Sequence, residues 1–322
     1  TEYDIHGVYI GQIPDTIPPN KFSTVNLQHT GLTEPIFPKS MPHLKVLNLS
    51  YNKIQTLTPA MARSLKGYSK LNMLDFSENQ ITSVPKDFSL VSQVTILNFF
   101  ANKITEFNYS NKHLQQLNLG HNSLTQIPTL DSKDLQSFVF DWNRLIVLDF
   151  KMASLTHLSL VCVGLEKISP SFNFPNIEIL DIRMNRLMSV PNFEQTTPKL
   201  RVLDMSHNFI TDFPIVPKTI ETLLINHNSI KEIPYSLPLL ENLKVFGFSN
   251  NLINFVPMVP NNIKKIYGSS NRITHFSASN TPYLTDCILA DNYLETMPQI
   301  VRNQIISYHM NHNKIKTIQL DY

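Results

Sequence analysis

The chain has 322 residues, 42% of them apolar, enough to enclose a large core, so a disordered polypeptide is excluded. Its 27 basic and 25 acidic side chains leave a net charge of +2, which excludes a strongly basic nucleic-acid surface and an acidic tail. Asparagine is over-represented at 32 residues, and glycine, which phosphate-cradling loops need, is scarce at 8.

Residues 1–21 read as an N-terminal cap, with a capping strand over 5–14 (Ile-His-Gly-Val-Tyr-Ile-Gly-Gln-Ile-Pro). From Phe22 onward one unit recurs. Its frame is clear in Leu44-Lys-Val-Leu47-Asn-Leu49-Ser-Tyr-Asn52-Lys-Ile54. The first positions of the copies are Phe22, Leu44, Leu71, Val94, Leu114, Leu135, Leu155, Ile177, Leu200, Ile220, Leu243, Ile263, Leu284 and Ile305. A period of about 22 residues holds one strand and a tight return, not two helices. The ninth position is Asn in every copy except those carrying Thr30 and Val163. In the longest copy, Thr58-Pro59 followed by Ala-Met-Ala-Arg-Ser-Leu65 predicts a short helix near 59–66, with Pro at its first position. Most other returns carry apolar-Pro pairs, such as Ile127-Pro128, Ile233-Pro234 and Val256-Pro257, which predict extended or 3₁₀ segments. The last copy ends near 318. Residues 319–322 read as a truncated or uncapped end, which a further domain or a dimer contact is expected to cover.

The pattern resembles the leucine-rich repeat family, L-x-x-L-x-L-x-x-N-x-L, over residues 22–318. The resemblance implies one α/β solenoid domain, a curved horseshoe with a parallel β-sheet on its concave side and mostly non-helical convex returns. The residues account for such a fold. In x-Leu-x-Leu-x the leucines face inward and the intervening residues outward. No single repeat buries its leucines alone, so neighbours must. The Asn amide can both donate and accept where each strand turns away.

No nucleotide-binding, zinc-protease or paired-cysteine motif is present, and no cofactor or metal is expected. Asp204, Ser206 and His207 have the residue types of a catalytic triad, but neighbours on one strand do not face each other as a triad requires. Histidine recurs at the eighth position: His29, His121, His207, His227 and His312. Asn48-Leu-Ser50 and Asn108-Tyr-Ser110 match the N-glycosylation sequon. Cys162 and Cys287 fall six repeats apart, about 29 Å at one strand spacing per repeat, too far to bridge. Unpaired cysteines favour a reducing, cytoplasmic setting, with a secreted or cell-surface receptor as the alternative.

The expected contact surface is a break in the outward pattern of repeats 4 to 8. Most outward positions are small and polar, but here Phe100, His121, Asp141, Trp142, Val161, Cys162, Arg183 and Met184 stand at the seventh and eighth positions, with Val139 one column inward. His207 and His227 continue the eighth-position column. An aromatic, Met and Arg cluster on a surface is what interface hot spots use. The expected function is recognition of a protein partner on the concave face, without nucleic acid and without a membrane span. The resemblance also admits a regulatory segment of a larger signalling enzyme, of the adenylyl cyclase or metal-dependent Ser/Thr phosphatase type.

Overall fold

A three-residue strand with one inward side chain cannot enclose anything by itself. The repeats solve this by stacking, and the computed structural model describes the result for residues 1–301 and 304–316. Two units are distinguished, Thr1–Leu145 and Ile146–Tyr322. The expected uncapped end, 319–322, lies outside the described residues.

In the first unit seven parallel strands pair in sequence order, from Glu2–Asp4 through Thr24–Asn26, Val46–Asn48, Met73–Asp75, Ile96–Asn98 and Gln116–Asn118 to Ser137–Val139. In the second unit eight do the same, from His157–Ser159 through Ile179–Asp181, Val202–Asp204, Thr222–Leu224, Val245–Gly247, Lys265–Tyr267 and Asp286–Ile288 to Ser307–His309. The register never slips: the fourth-position residues Val25, Leu47, Leu74, Leu97, Leu117 and Phe138 stand side by side in the first unit. All six are buried, as are the sixth-position residues beside them, for example Leu49, Phe76 and Leu119. Parallel pairing with long returns makes each unit a solenoid with few helices.

The strand Glu2–Asp4, not 5–14, is the one that caps the first repeat. Residues 5–10 follow as irregular backbone bonded along that repeat, through Ile5 N to Asn26 O and Gly7 N to Gln28 O. The helix Pro59–Lys66 forms as its sequence dictates. Thr58 Oγ1 accepts from Met61 N, Pro59 occupies the first turn, and Met61, Ala62 and Leu65 are buried.

The ninth-position asparagines carry the polar interior. Asn79 Nδ2 donates to Leu49 O at 2.9 Å in the preceding repeat and to Phe76 O at 3.0 Å in its own, while Oδ1 accepts from Ile54 N at 3.0 Å. Asn102, Asn143, Asn208, Asn251, Asn271 and Asn292 repeat this scheme and are buried. The two exceptions are explained by the residue that follows. Thr30 precedes Gly31 and Val163 precedes Gly164, both glycines at φ +77°. That turn aims two N–H groups at the next asparagine. Asn52 Oδ1 accepts from Thr30 and Leu32, and Asn185 Oδ1 accepts from Val163 and Leu165. Val163 therefore belongs to an alternative form of the same turn.

Candidate functional site

The eighth-position residue of every repeat has a left-handed backbone. Among the described residues the fourteen non-glycine residues with positive φ, at 52–57°, are His29, Tyr51, Glu78, Ala101, His121, Trp142, Cys162, Met184, His207, His227, Asn250, Ser270, Asp291 and His312. Left-handed backbone is disfavoured for L-residues, and His, Asn and Asp tolerate it best. Seven of these fourteen are His, Asn or Asp and none is β-branched. The recurrence of histidine thus has a backbone cause. The same geometry turns each side chain off the sheet and into register with its neighbours.

In the first unit this column brings aromatic rings together. Phe100, from the seventh position, meets His121 edge-on at 5.9 Å between centroids, and His121 stacks on Trp142 at 6.2 Å. The Trp142 side chain is 49% exposed. Val139 and Asp141 lie beside it, both half-buried. The core below is closed by Phe138 and Phe140, so Trp142 is not needed to fill it.

In the second unit the expected residues fare differently. Val161 is buried and offers no contact surface; the seventh-position residues Ser50, Ser77, Ser206 and Ala290 of other repeats are buried too. Cys162 is partly exposed and Met184 is exposed. Arg183 lies across the sheet, its Nε 3.1 Å from Asp181 and a terminal nitrogen 3.8 Å from Asp204. His207 and His227 stack face to face, centroids 4.0 Å apart and 12° from parallel. Burial, and then the neighbouring His207, lowers the pKa of His227. Asn250 Nδ2 lies 3.2 Å from His227 Nε2. Asp204 and Ser206 form no triad with His207, because the carboxylate accepts from the Ser206 backbone N–H at 3.0 Å.

Two features escaped the sequence reading. The fifth-position Asn and Asp accept from the backbone N–H two residues on, in Asn26, Asn48, Asp75, Asn98, Asn118, Asp181 and Asp204. These turns close the strand exit and give four of the remaining asparagines, Asn26, Asn48, Asn98 and Asn118, a backbone role. Their signal was an Asx residue five places into the repeat. In repeats 10 to 13 the fifth position loses this role and becomes Leu224, Gly247, Tyr267 and Ile288, adjacent in register. A cleft of about 800 Å³ in the first unit, lined by Glu106, Asn108, Tyr109, Gln126 and Asp131 among others, includes none of the expected contact residues. Among the described residues no three His, Cys, Asp or Glu side chains gather as a metal cluster, and no helix is long and apolar enough to cross a membrane.

Comparison with known proteins agrees with the architecture. A family model described as Leucine Rich repeat matches residues 40–56 and 110–126. Osteomodulin of Rattus norvegicus is 28% identical over 186 residues, covering 53% of this chain and 43% of osteomodulin. Toll-like receptor 10 of Bos taurus is 25% identical over 196 residues, 59% of this chain and 22% of the receptor. The chain thus spans less than half the length of these relatives. Among solved structures, YopM, a leucine-rich effector protein from Yersinia pestis, superposes with a TM-score of 0.79 at 22% identity, covering 98% of this chain and 84% of YopM. Fourteen copies of one motif, stacked as parallel strands over an asparagine ladder and matched by that family's model, make this chain a leucine-rich repeat protein.

Proposed function

We propose that the chain is a recognition module that binds a protein partner through its sheet face and the eighth-position column, with Trp142 as principal anchor and no catalytic role. The observation that carries this reading is Trp142 itself, a half-exposed indole on a left-handed position, stacked on His121, which Phe100 meets edge-on, and not required by the core. A rigid aromatic with one N–H donor, already ordered before binding, is what interface hot spots are made of. Val139 and Asp141 flank it, and Arg183, Met184, His207 and His227 offer further contact groups in the second unit. The receptor and effector names among the comparisons support recognition as the class.

The test is affinity capture from native extract with quantitative mass spectrometry, comparing wild type, Trp142→Ala and Tyr235→Ala. Tyr235 is 81% exposed and lies away from the sheet, so it serves as control. A partner retained by wild type and Tyr235→Ala but depleted at least tenfold by Trp142→Ala supports the reading. Equal capture by all three refutes it.

A cell-surface setting for the same role is favoured by Asn108, an exposed sequon asparagine, and by the receptor among the relatives. The comparisons lend no support to the cytoplasmic setting. Expression in secreting eukaryotic cells, followed by mass measurement with and without deglycosylation, discriminates the two: a glycan at Asn108 supports the surface reading.

A further inference from the structure

The returns of the first unit leave an opening away from the contact surface. Ser83–Val84 pairs in parallel with Glu106–Phe107, and this outer ladder goes no further. The next return keeps to repeat 4 as far as Ser123, whose N donates to Ile104 O at 2.9 Å. Residues 125–131, with Pro128 among them, then form no strand beside Glu106–Phe107. Between the two returns lies the cleft of about 800 Å³, within the ~300–1,000 Å³ of sites that hold small ligands. Asn108 stands on its wall. Phe107 and Tyr109 are both buried, their rings 6.0 Å apart, so alternation turns Asn108 outward between them. The Asn108 N donates to Val84 O at 2.9 Å, and the Tyr109 hydroxyl donates to Val91 O at 2.6 Å, which fixes the residue in place.

The two sequon asparagines are not equivalent. Asn48 is half-buried on a sheet strand, its Oδ1 accepting from Ser50 N at 2.9 Å and from Ser50 Oγ at 2.6 Å. Asn108 is exposed, and among the described residues its amide has no hydrogen-bond partner. The same holds for three side chains that share the cleft with it: the Glu106 carboxylate, the Gln126 amide and the Thr129 hydroxyl. Asp131 is already engaged by Ser110 Oγ at 2.6 Å. Carboxylate, amide and hydroxyl together supply the acceptors and donors that sugar hydroxyls and N-acetyl groups require. We propose that an N-glycan on Asn108 folds back into this cleft, its two N-acetylglucosamine residues nearest the protein bonded to Glu106, Gln126 and Thr129. The inference rests on the cell-surface reading of the function. The glycan arrives from a lipid-linked oligosaccharide by group transfer. Asn108 Nδ2 loses a proton and bonds to the sugar C1, while the C1–O bond breaks and its electron pair leaves with the lipid diphosphate.

The test uses the full chain secreted from eukaryotic cells that attach high-mannose glycans. Peptide mapping should find a glycan on Asn108 and none on Asn48. A peptide N-glycosidase should release it from the native protein at least tenfold more slowly than from the unfolded chain. Gln126→Ala combined with Thr129→Ala should speed native release several-fold. Both residues are exposed, so circular dichroism should show an unchanged fold. Backbone amides of residues 124–131 should exchange with solvent more slowly in the glycosylated protein than in Asn108→Gln, a difference that a glycan projecting into solvent does not produce. A bare Asn108 would overturn the proposal and the surface reading together. A glycan on Asn108 whose native release ignores the Gln126→Ala and Thr129→Ala pair, or that leaves exchange over 124–131 unchanged, would overturn its seating in the cleft and leave the surface reading standing.

Discussion

Ala101 isolates the cost of the left-handed position, because its side chain is a single methyl at φ +54°. A non-glycine residue there loses about 1–2 kcal/mol against a right-handed one, and glycine escapes most of this at some cost in chain entropy. Ala101→Gly should raise stability by about 0.5 kcal/mol, and Ala101→Val should lower it by about 1 kcal/mol or more. Urea denaturation of the two variants checks the sign of each. Asn228 isolates the ladder. Its amide donates to Met205 O and Ile225 O at 3.1 Å and accepts from Ile210 N at 3.0 Å. Asn228→Ala should cost about 2 kcal/mol or more, since backbone groups lose their partners at about 1–3 kcal/mol each. A loss under about 0.5 kcal/mol in urea melts would remove that role. The ladder was legible because Asn recurs at one place and its amide offers both a donor and an acceptor. The left-handed position was not, because His, Trp, Met, Cys and Ala there share no side-chain chemistry, only a backbone angle.

At the scale of the element, the period and the inward leucines dictated the sheet strand of each repeat, and capping chemistry dictated the helix Pro59–Lys66. The capping strand was misplaced because Ile5 to Ile10 has the apolar content of a strand, while Gly7 at φ +75° bends the chain away. Val161 was misjudged because the seventh position is buried in many repeats, as at Ser50, Ser77, Ser206 and Ala290, where side-chain alternation along the strand predicts exposure. Gly164 has open space around an added Cβ, so Gly164→Ala should cost only the backbone term, about 1 kcal/mol, measurable as a shift in the urea midpoint. Leu119 is fully buried, and Leu119→Ala should cost about 2–5 kcal/mol by the same measurement. Across the strands of the second unit, Arg201 reaches Glu221 at 2.8 Å and Glu178 at 3.2 Å, and Lys244 reaches Glu221 at 2.7 Å. Lys244 first and Arg201 second bring the Glu221 carboxyl down from 4.5 to about 2. A lowered folded-state pKa stabilises above the unfolded value, and that stabilisation is lost as pH falls from about 4.5 to about 2. Wild type should therefore exceed Glu221→Gln in stability at neutral pH and converge with it near pH 2. The gap should shrink in high salt, because these groups face solvent.

For the whole molecule, the composition already fixed a repetitive scaffold without catalytic motifs. The surface was only partly legible, since exposure depends on turns that one sequence does not reveal. The single tryptophan makes the central expectation easy to read. Native emission should be red-shifted and readily quenched by acrylamide, and Trp142→Ala should leave the melting temperature nearly unchanged. Blue-shifted, protected emission with a large stability loss would place Trp142 in the core and remove the binding reading with it.

The asparagine ladder also has a direction. Each amide serves the repeat before its own: Asn228 holds Ile210 N, while Ile230 N is held by Asn251. A lesion in this ladder should therefore be felt out of step with its position. In Asn228→Ala the amide of Ile210 should lose protection from hydrogen exchange, and that of Ile230, only two residues from the substitution, should keep it. Structural information in the stack flows one way, so wherever the next repeat carries an asparagine a turn is completed by the one translated after it.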